Sequence, residues 1–73
     1  MPGYVIEFNR RSGAANVTEF PGADGHRDAL RLRLELEKAR RDPDMEIVSL
    51  VSDSLDTVRR THSRYFVEEH ASA

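Results

Sequence analysis

The chain has 73 residues, a net charge of −2 and 33% charged residues, so residues 1–73 are expected to form a single small domain. It contains no cysteine, which excludes disulfide scaffolds, thiolate zinc sites and cysteine nucleophiles. The nearly balanced charge predicts neither nucleic-acid nor membrane binding, and the apolar runs are far too short to span a membrane.

The N-terminal segment and the choice of basic residues bear on compartment and origin. Met1–Tyr4 has neither the basic nor the apolar part of a secretory signal, so we expect a cytoplasmic protein. Lys38 is the only lysine among the 11 basic residues. Such a preference for arginine is typical of a GC-rich genome, which indicates a high-GC bacterium or one of its phages as the source.

A β-hairpin is predicted over about residues 4–20. Within Tyr4–Phe8, large apolar residues alternate with other residues, which is the period of a strand. A second strand over Ala15–Phe20 contains β-branched residues, and Gly13 between the two strands can adopt the positive φ of a turn.

The stretch over about residues 24–41 carries conflicting signals. Leu30–Glu37 alternates strictly between apolar and charged residues, as a strand does, yet its residue types are strong helix formers and β-branched residues are absent. Asp24 can act as N-cap and Pro43 stops a helix. Opposite charges four residues apart support the helix: Arg31–Glu35, Arg33–Glu37 and Glu37–Arg41. We therefore predict a helix.

A helix with this alternation carries leucines on two opposite faces. Leu30 and Leu34 fall on one side, and Leu32, Leu36 and Ala29 fall on roughly the other. Because a surface helix normally buries a single apolar stripe, something other than the sheet is expected to cover the second one. Either the second helix of the chain covers it, or a second copy of the chain or a partner protein does.

The C-terminal half predicts one more strand and one more helix. A strand over about residues 45–51 is apolar on both faces, which is typical of a central strand. A helix over about residues 53–69 follows, capped by Ser52 or Asp53, and residues 70–73 should fray. Its apolar face consists of Leu55, Val58, His62, Tyr65 and Phe66. The fold class is thus α+β in the order β-β-α-β-α, a three-stranded sheet with two helices packed on it.

The sequence indicates no catalytic residue, no cofactor and no metal site. No two of His26, His62 and His70 are three or four residues apart, as paired ligands on one helix would be. The segment from Asp42 is similar to the start of a calcium loop, but Ile47 occupies the position that requires glycine. We therefore expect a protein that is not an enzyme.

Two kinds of partner remain. A domain this small is marginally stable alone, so we expect a protein-interaction module that binds a protein partner or forms a homodimer. Its expected contact residues are Leu30, Leu34, Arg59, Arg60, Arg64 and Tyr65. The alternative is a small nucleic-acid-binding protein that uses Arg10, Arg11, Arg59, Arg60 and Arg64. Three helix arginines on a net-acidic chain make this the less favoured of the two.

Overall fold

The computed structural model describes residues 1–66, which form a three-stranded antiparallel sheet with helices on both of its faces. The elements are β1 (Gly3–Asn9), β2 (Ala15–Phe20), α1 (Gly25–Ala39), β3 (Met45–Val51), α2 (Leu55–Thr61) and a 3-10 helix (Ser63–Phe66). The predicted α+β class and the order β-β-α-β-α are confirmed. The strands lie side by side in the order β2-β1-β3.

The central strand is β1, and it is the most buried element of the sheet. Tyr4, Val5 and Ile6 have no exposed surface, and β1 pairs with both other strands. The prediction that β3 is central is therefore wrong. β3 is apolar on both sides because helices pack on both faces of this sheet, so even an edge strand contacts apolar residues on each side.

One face of the sheet packs against α2 and the 3-10 helix. Because successive strand residues point to opposite faces, Tyr4, Ile6 and Phe8 share this face. The ring of Phe8 meets that of Tyr65 edge to face, with centroids 5.1 Å apart. The buried residues of this core are Tyr4, Ile6, Val58, Tyr65 and Phe66.

The opposite face of the sheet packs against α1. Val5 points to this side, and Ala29 of α1 is fully buried. Ser49, which lies opposite Val5 on β3, accepts a 3.5 Å hydrogen bond from Arg33 Nη1 of α1. Since α1 and α2 lie on opposite faces of the sheet, α2 does not cover the second apolar stripe of α1.

The segment whose sequence carries conflicting helix and strand signals is a helix, as predicted. It ends at Ala39 rather than at residue 41. Arg40 leaves the helix with φ −61° and ψ 128°. Of the expected ion pairs, Arg33–Glu37 forms, with Nε 2.9 Å from Oε1. Among the described residues, the Asp24 side chain makes no capping hydrogen bond; its carboxylate lies 3.3 Å from Arg27.

The second helix is shorter than predicted. Its cap is Ser54, whose Oγ accepts a 3.2 Å hydrogen bond from the N–H of Thr57, and neither Ser52 nor Asp53. The helix ends at Thr61, and the chain continues as the 3-10 helix after His62. This break lets the adjacent Tyr65 and Phe66 both be buried. Two parts of the prediction lie outside the described residues: the end of the helix, residues 67–69, and the frayed tail, residues 70–73.

The predicted hairpin is confirmed. β1 and β2 are antiparallel from the pair Gly3–Phe20 to the pair Phe8–Ala15. In the turn, Asn9 Oδ1 accepts two backbone N–H groups, at 2.9 and 3.0 Å. Gly13 has a φ of 81°, which is the positive value that the sequence predicted for it.

The first residues of β1 and α1 approach so closely that only glycine fits there. A Cβ on Gly25 would overlap the carbonyl oxygen of Phe20 and the nitrogen of Gly3, and both of these are backbone atoms. We expect Gly25→Ala to lower the free energy of unfolding by about 3 kcal/mol, because backbone must move to admit the methyl group. Urea denaturation measures this change.

Gly13→Ala is the control for this substitution. A Cβ at Gly13 meets no atom within 4 Å, and the positive φ is its only obstacle, so its cost should be about 1 kcal/mol. A Gly25→Ala variant that loses no more stability than Gly13→Ala would contradict the close approach of α1 to β1.

Candidate interaction surface

Large apolar side chains are exposed along one side of the molecule. Leu30 is 38% exposed, Leu34 is 59% exposed and Val51 is 40% exposed. Val51 lies on β3 and shares the α1 side of the sheet with Ser49, because the two are two positions apart in the strand. We refer to Leu30, Leu34 and Val51 as the β3 flank.

The orientation of α1 explains why its two leucines belong to this flank. Ala29 faces the sheet, and Arg33 reaches β3 through Ser49. At 100° per residue, Leu30 projects 60° further from the sheet than Arg33, on the same side of the helix. Leu34 projects 100° further than Arg33. Leu30 therefore points out over the outer edge of β3, and Leu34 points higher on the same side, towards the solvent side of α1.

β3 also has a backbone edge that no other strand of residues 1–66 pairs with. At the ends of the β1–β3 ladder, Ser52 N donates to Pro2 O at 3.2 Å, and Arg10 N donates to Asp44 O at 2.9 Å. Antiparallel ladder bonds alternate along a strand, so the even-numbered residues between these ends bond to β1. The residues whose N–H and C=O groups point away from the sheet are Ile47, Ser49 and Val51.

One end of this edge is closed by a side chain. Arg40, the first residue after α1, donates from Nη1 to the carbonyl oxygen of Met45 at 3.2 Å. Met45 is the first residue of β3, and its carbonyl also points outward. The stretch of edge open to another strand is therefore Ile47–Val51.

The predicted arginine face is organised around Glu46, on the other face of the sheet. Arg10 Nε and Arg64 Nη2 each lie 3.4 Å from Glu46 Oε1, and the Tyr65 hydroxyl donates to Oε2 at 2.5 Å. The Arg64 guanidinium also stacks on the Tyr65 ring, 4.8 Å from its centroid. We refer to Arg10, Glu46, Arg64 and Tyr65 as the Glu46 cluster. It fastens the 3-10 helix to the start of β3.

The cluster shifts the ionisation of both acidic members. The hydrogen bond from Tyr65 holds the pKa of the Glu46 carboxyl below its usual value, Arg64 and Arg10 act in the same direction, and burial opposes them. Burial raises the pKa of the Tyr65 hydroxyl, and the hydrogen bond to Glu46 raises it further. Both shifts stabilise a neutral donor on an ionised acceptor, which is the strong form of such a bond.

The remaining predicted arginines also have partners within the molecule. Arg11 Nη2 lies 2.7 Å from Asp44, and Arg59 Nη1 lies 3.9 Å from Asp56. Arg60 donates to a threonine hydroxyl of its own helix at 3.4 Å. Nearby carboxylates therefore offset much of the positive charge that the nucleic-acid alternative relies on.

The structure does not bring the predicted protein-binding residues onto one surface. Leu30 and Leu34 lie on the α1 side of the sheet, whereas Arg59, Arg60 and Arg64 lie on the α2 side. Tyr65 is only 5% exposed and belongs to the core. The single composite surface expected from the sequence is thus replaced by two separate surfaces.

The sequence reasoning missed two features. The open edge of Ile47–Val51 was missed because β3 was assigned to the sheet centre, and the two-sided apolar pattern was the misleading signal. Glu46 was missed because its partners come from the hairpin turn and from the 3-10 helix. Its sequence signal is that Glu46 is the one charged residue of β3.

No family of known proteins, no curated protein and no solved structure matches this chain. Of the helices within residues 1–66, none has the length and apolar character needed to cross a membrane. Within the same residues, no group of three or more histidine, aspartate or glutamate side chains is arranged to hold a metal ion.

The Glu46 cluster makes stability depend on acid pH. The folded carboxyl titrates below its ordinary pKa of 4.5, so it adds stability above pH 4.5, which is lost as pH falls through the folded pKa. We expect Glu46→Gln to lower the unfolding free energy at pH 7 by about 1–3 kcal/mol and to reduce the loss between pH 7 and pH 3. Urea denaturation at the two pH values measures both effects.

Tyr65→Phe is the matched control. It keeps the Glu46 carboxyl but removes the largest cause of its lowered pKa, so it should also weaken the acid dependence, to a smaller extent than Glu46→Gln. An acid dependence that Glu46→Gln leaves as large as that of the native chain would refute this role for Glu46.

Proposed function

We propose that this chain is a protein-interaction module that binds a protein partner through the β3 flank and the open edge of Ile47–Val51. The observation that carries the proposal is the position of exposed leucines directly beside an unpaired strand edge. A partner strand that extends the sheet would gain backbone hydrogen bonds from the edge and apolar contacts from the flank.

The composition of β3 supports this use of the edge. Soluble proteins usually protect an exposed edge strand with lysine, proline, a bulge or an inward-pointing charge. The segment Ile47–Val51 contains none of these and carries four apolar residues around one serine. β2, at the opposite edge, is more polar and includes Asn16, Thr18 and Glu19.

The composition of the chain bears on two further parts of the proposal, its catalytic activity and its cellular compartment. We propose a binding protein without catalytic activity that acts in the cytoplasm, on the basis of its lack of cysteine and of any catalytic pattern. The nucleic-acid alternative receives less support, because Arg10, Arg11, Arg59 and Arg64 all lie within 4 Å of a carboxylate.

Capture of partners tests the proposal. The tagged native chain is incubated with nuclease-treated lysate of the source cell, and so is a tagged double variant that carries Leu30→Glu and Leu34→Glu. Untagged native chain is added to the lysate, so that a second copy of the chain can also be captured. Both leucines are exposed, so the variant should stay folded, as circular dichroism can verify. We expect the native chain to retain one defined protein and the variant to lose at least about nine-tenths of it, because two buried charges oppose binding.

The control variant carries Arg59→Gln and Arg60→Gln. These substitutions change the net charge by the same amount, but both positions lie on α2, on the opposite face of the sheet from α1 and its leucines, so partner capture should persist. Equal capture by the native chain and the double glutamate variant would sink the proposal. A parallel capture from untreated lysate tests the alternative: partners retained there but absent after nuclease treatment would favour the arginine face.

A further inference from the structure

We infer that the partner is a second copy of this chain, whose β3 pairs antiparallel with the first β3 across a two-fold axis at Ser49. The inference rests on the proposed function and names its partner. The outward-pointing residues Ile47, Ser49 and Val51 are spaced evenly about Ser49. An antiparallel pair centred there exchanges roughly six backbone hydrogen bonds.

The side chains match in this register on both faces of the sheet. On the α1 side, Ile47 of each copy lies opposite Val51 of the other. On the α2 side, Val48 lies opposite Leu50. Apolar and β-branched cross-strand pairs of this kind stabilise antiparallel sheets, so the edge is self-complementary.

A register shifted to an axis at Val48 is disfavoured by two contacts. It would place Glu46 opposite Leu50 of the other copy. The Glu46 carboxylate would then either leave its partners in the Glu46 cluster or lie against an apolar side chain. It would also require the carbonyl oxygen of Met45, which Arg40 already binds. The axis at Ser49 leaves both contacts intact.

The same pairing brings the two α1 helices into contact. α1 lies mainly over β1 and β3, and neighbouring strands are about 4.8 Å apart. Seen down the two-fold axis, which is perpendicular to the sheet, each α1 axis then lies about 5 Å from the two-fold axis. The two helices are therefore roughly 10 Å apart, which is the usual distance for packed helices. The helices run antiparallel, with Leu30 of each copy facing the other helix and Leu34 at the outer margin of the same contact.

Charge also matches at the ends of the paired strands. β3 ends at Val51 and Asp53 follows two residues later, so the pairing brings Asp53 of the second copy to the end of the interface that holds Met45 of the first. The Arg40 guanidinium lies at the Met45 carbonyl, so each end of the interface brings an exposed carboxylate towards an arginine. The two-fold axis creates this contact twice.

The result is a closed assembly of two chains. Pairing of the β3 edges produces one continuous six-stranded sheet whose outer edges are the more polar β2 strands. A two-fold contact uses the same patch on both copies and leaves none over for a third. The β3 flank, the open edge and the second apolar stripe of α1 are all covered by this one contact.

The oligomeric state of proline and alanine variants tests the inference. We expect light scattering of the native chain at about 100 μM to give twice the monomer mass of 8.3 kDa. Ser49→Pro removes an outward N–H and spares the β1 ladder, since an edge strand tolerates proline on its open side. It should raise the dimer dissociation constant by about 100-fold or more. Ser49→Ala keeps the N–H and should remain dimeric.

Cysteine cross-linking tests the register and does not depend on whether Ser49→Pro folds. The chain has no cysteine, so Ser49→Cys introduces a single thiol per copy. Its Cα atoms would lie about 5.5 Å apart across the axis, within disulfide range. Val51→Cys is the control, because its Cα atoms would be roughly 13 Å apart. We expect Ser49→Cys to form a disulfide dimer under mild oxidation and the more exposed Val51→Cys to remain largely unlinked.

The outcomes separate this inference from the proposed function. A native chain that is monomeric at 100 μM, or a Ser49→Cys variant that links no faster than Val51→Cys, overturns the second copy as partner. If such a chain still captures another protein in a manner that requires Leu30 and Leu34, the interaction module stands. If the double glutamate variant captures everything that the native chain does, the interaction module itself fails.

Discussion

The fold depends on the burial of β1 on both of its faces. Tyr4 and Ile6 pack against α2 and the 3-10 helix, while Val5 packs beneath α1, and all three are fully buried. A strand of this kind must lie at the centre of a sheet and must be covered by helices on each side. The sheet formed by residues 1–66 has three strands, so both neighbours of β1 are edge strands, and the edge of β3 is apolar on both faces.

In the function we propose, this arrangement turns a structural requirement into a binding surface. The helices that cover β1 also need apolar residues on β3, so β3 cannot carry the charges that usually protect an edge. The Glu46 cluster occupies one end of the strand and Arg40 closes the edge beside it. What remains open is the segment Ile47–Val51, next to the exposed leucines of α1. The proposed association through this segment would remove an aggregation-prone edge and cover the exposed leucines of α1.

Local patterns in the sequence predicted the elements, and tertiary pairing decided what could not be predicted. Helix propensity overcame the alternation of Leu30–Glu37, because propensity and charge spacing act within a few residues. The two apolar faces of β3 could not reveal whether it was central, since strand order depends on which strand is covered most completely. The break at His62 and the Glu46 cluster likewise depend on contacts between distant segments. The exposed leucines were predicted, whereas the edge beside them required the sheet order.

Hydrogen exchange along β3 tests most directly whether its open edge is the surface used for association. The amides of Val48 and Leu50 bond to β1 and should be protected at every protein concentration. Those of Ile47, Ser49 and Val51 face the open edge, so the account predicts rapid exchange in dilute protein and at least about tenfold slower exchange in concentrated protein. Exchange at these three amides that is independent of concentration would contradict the account.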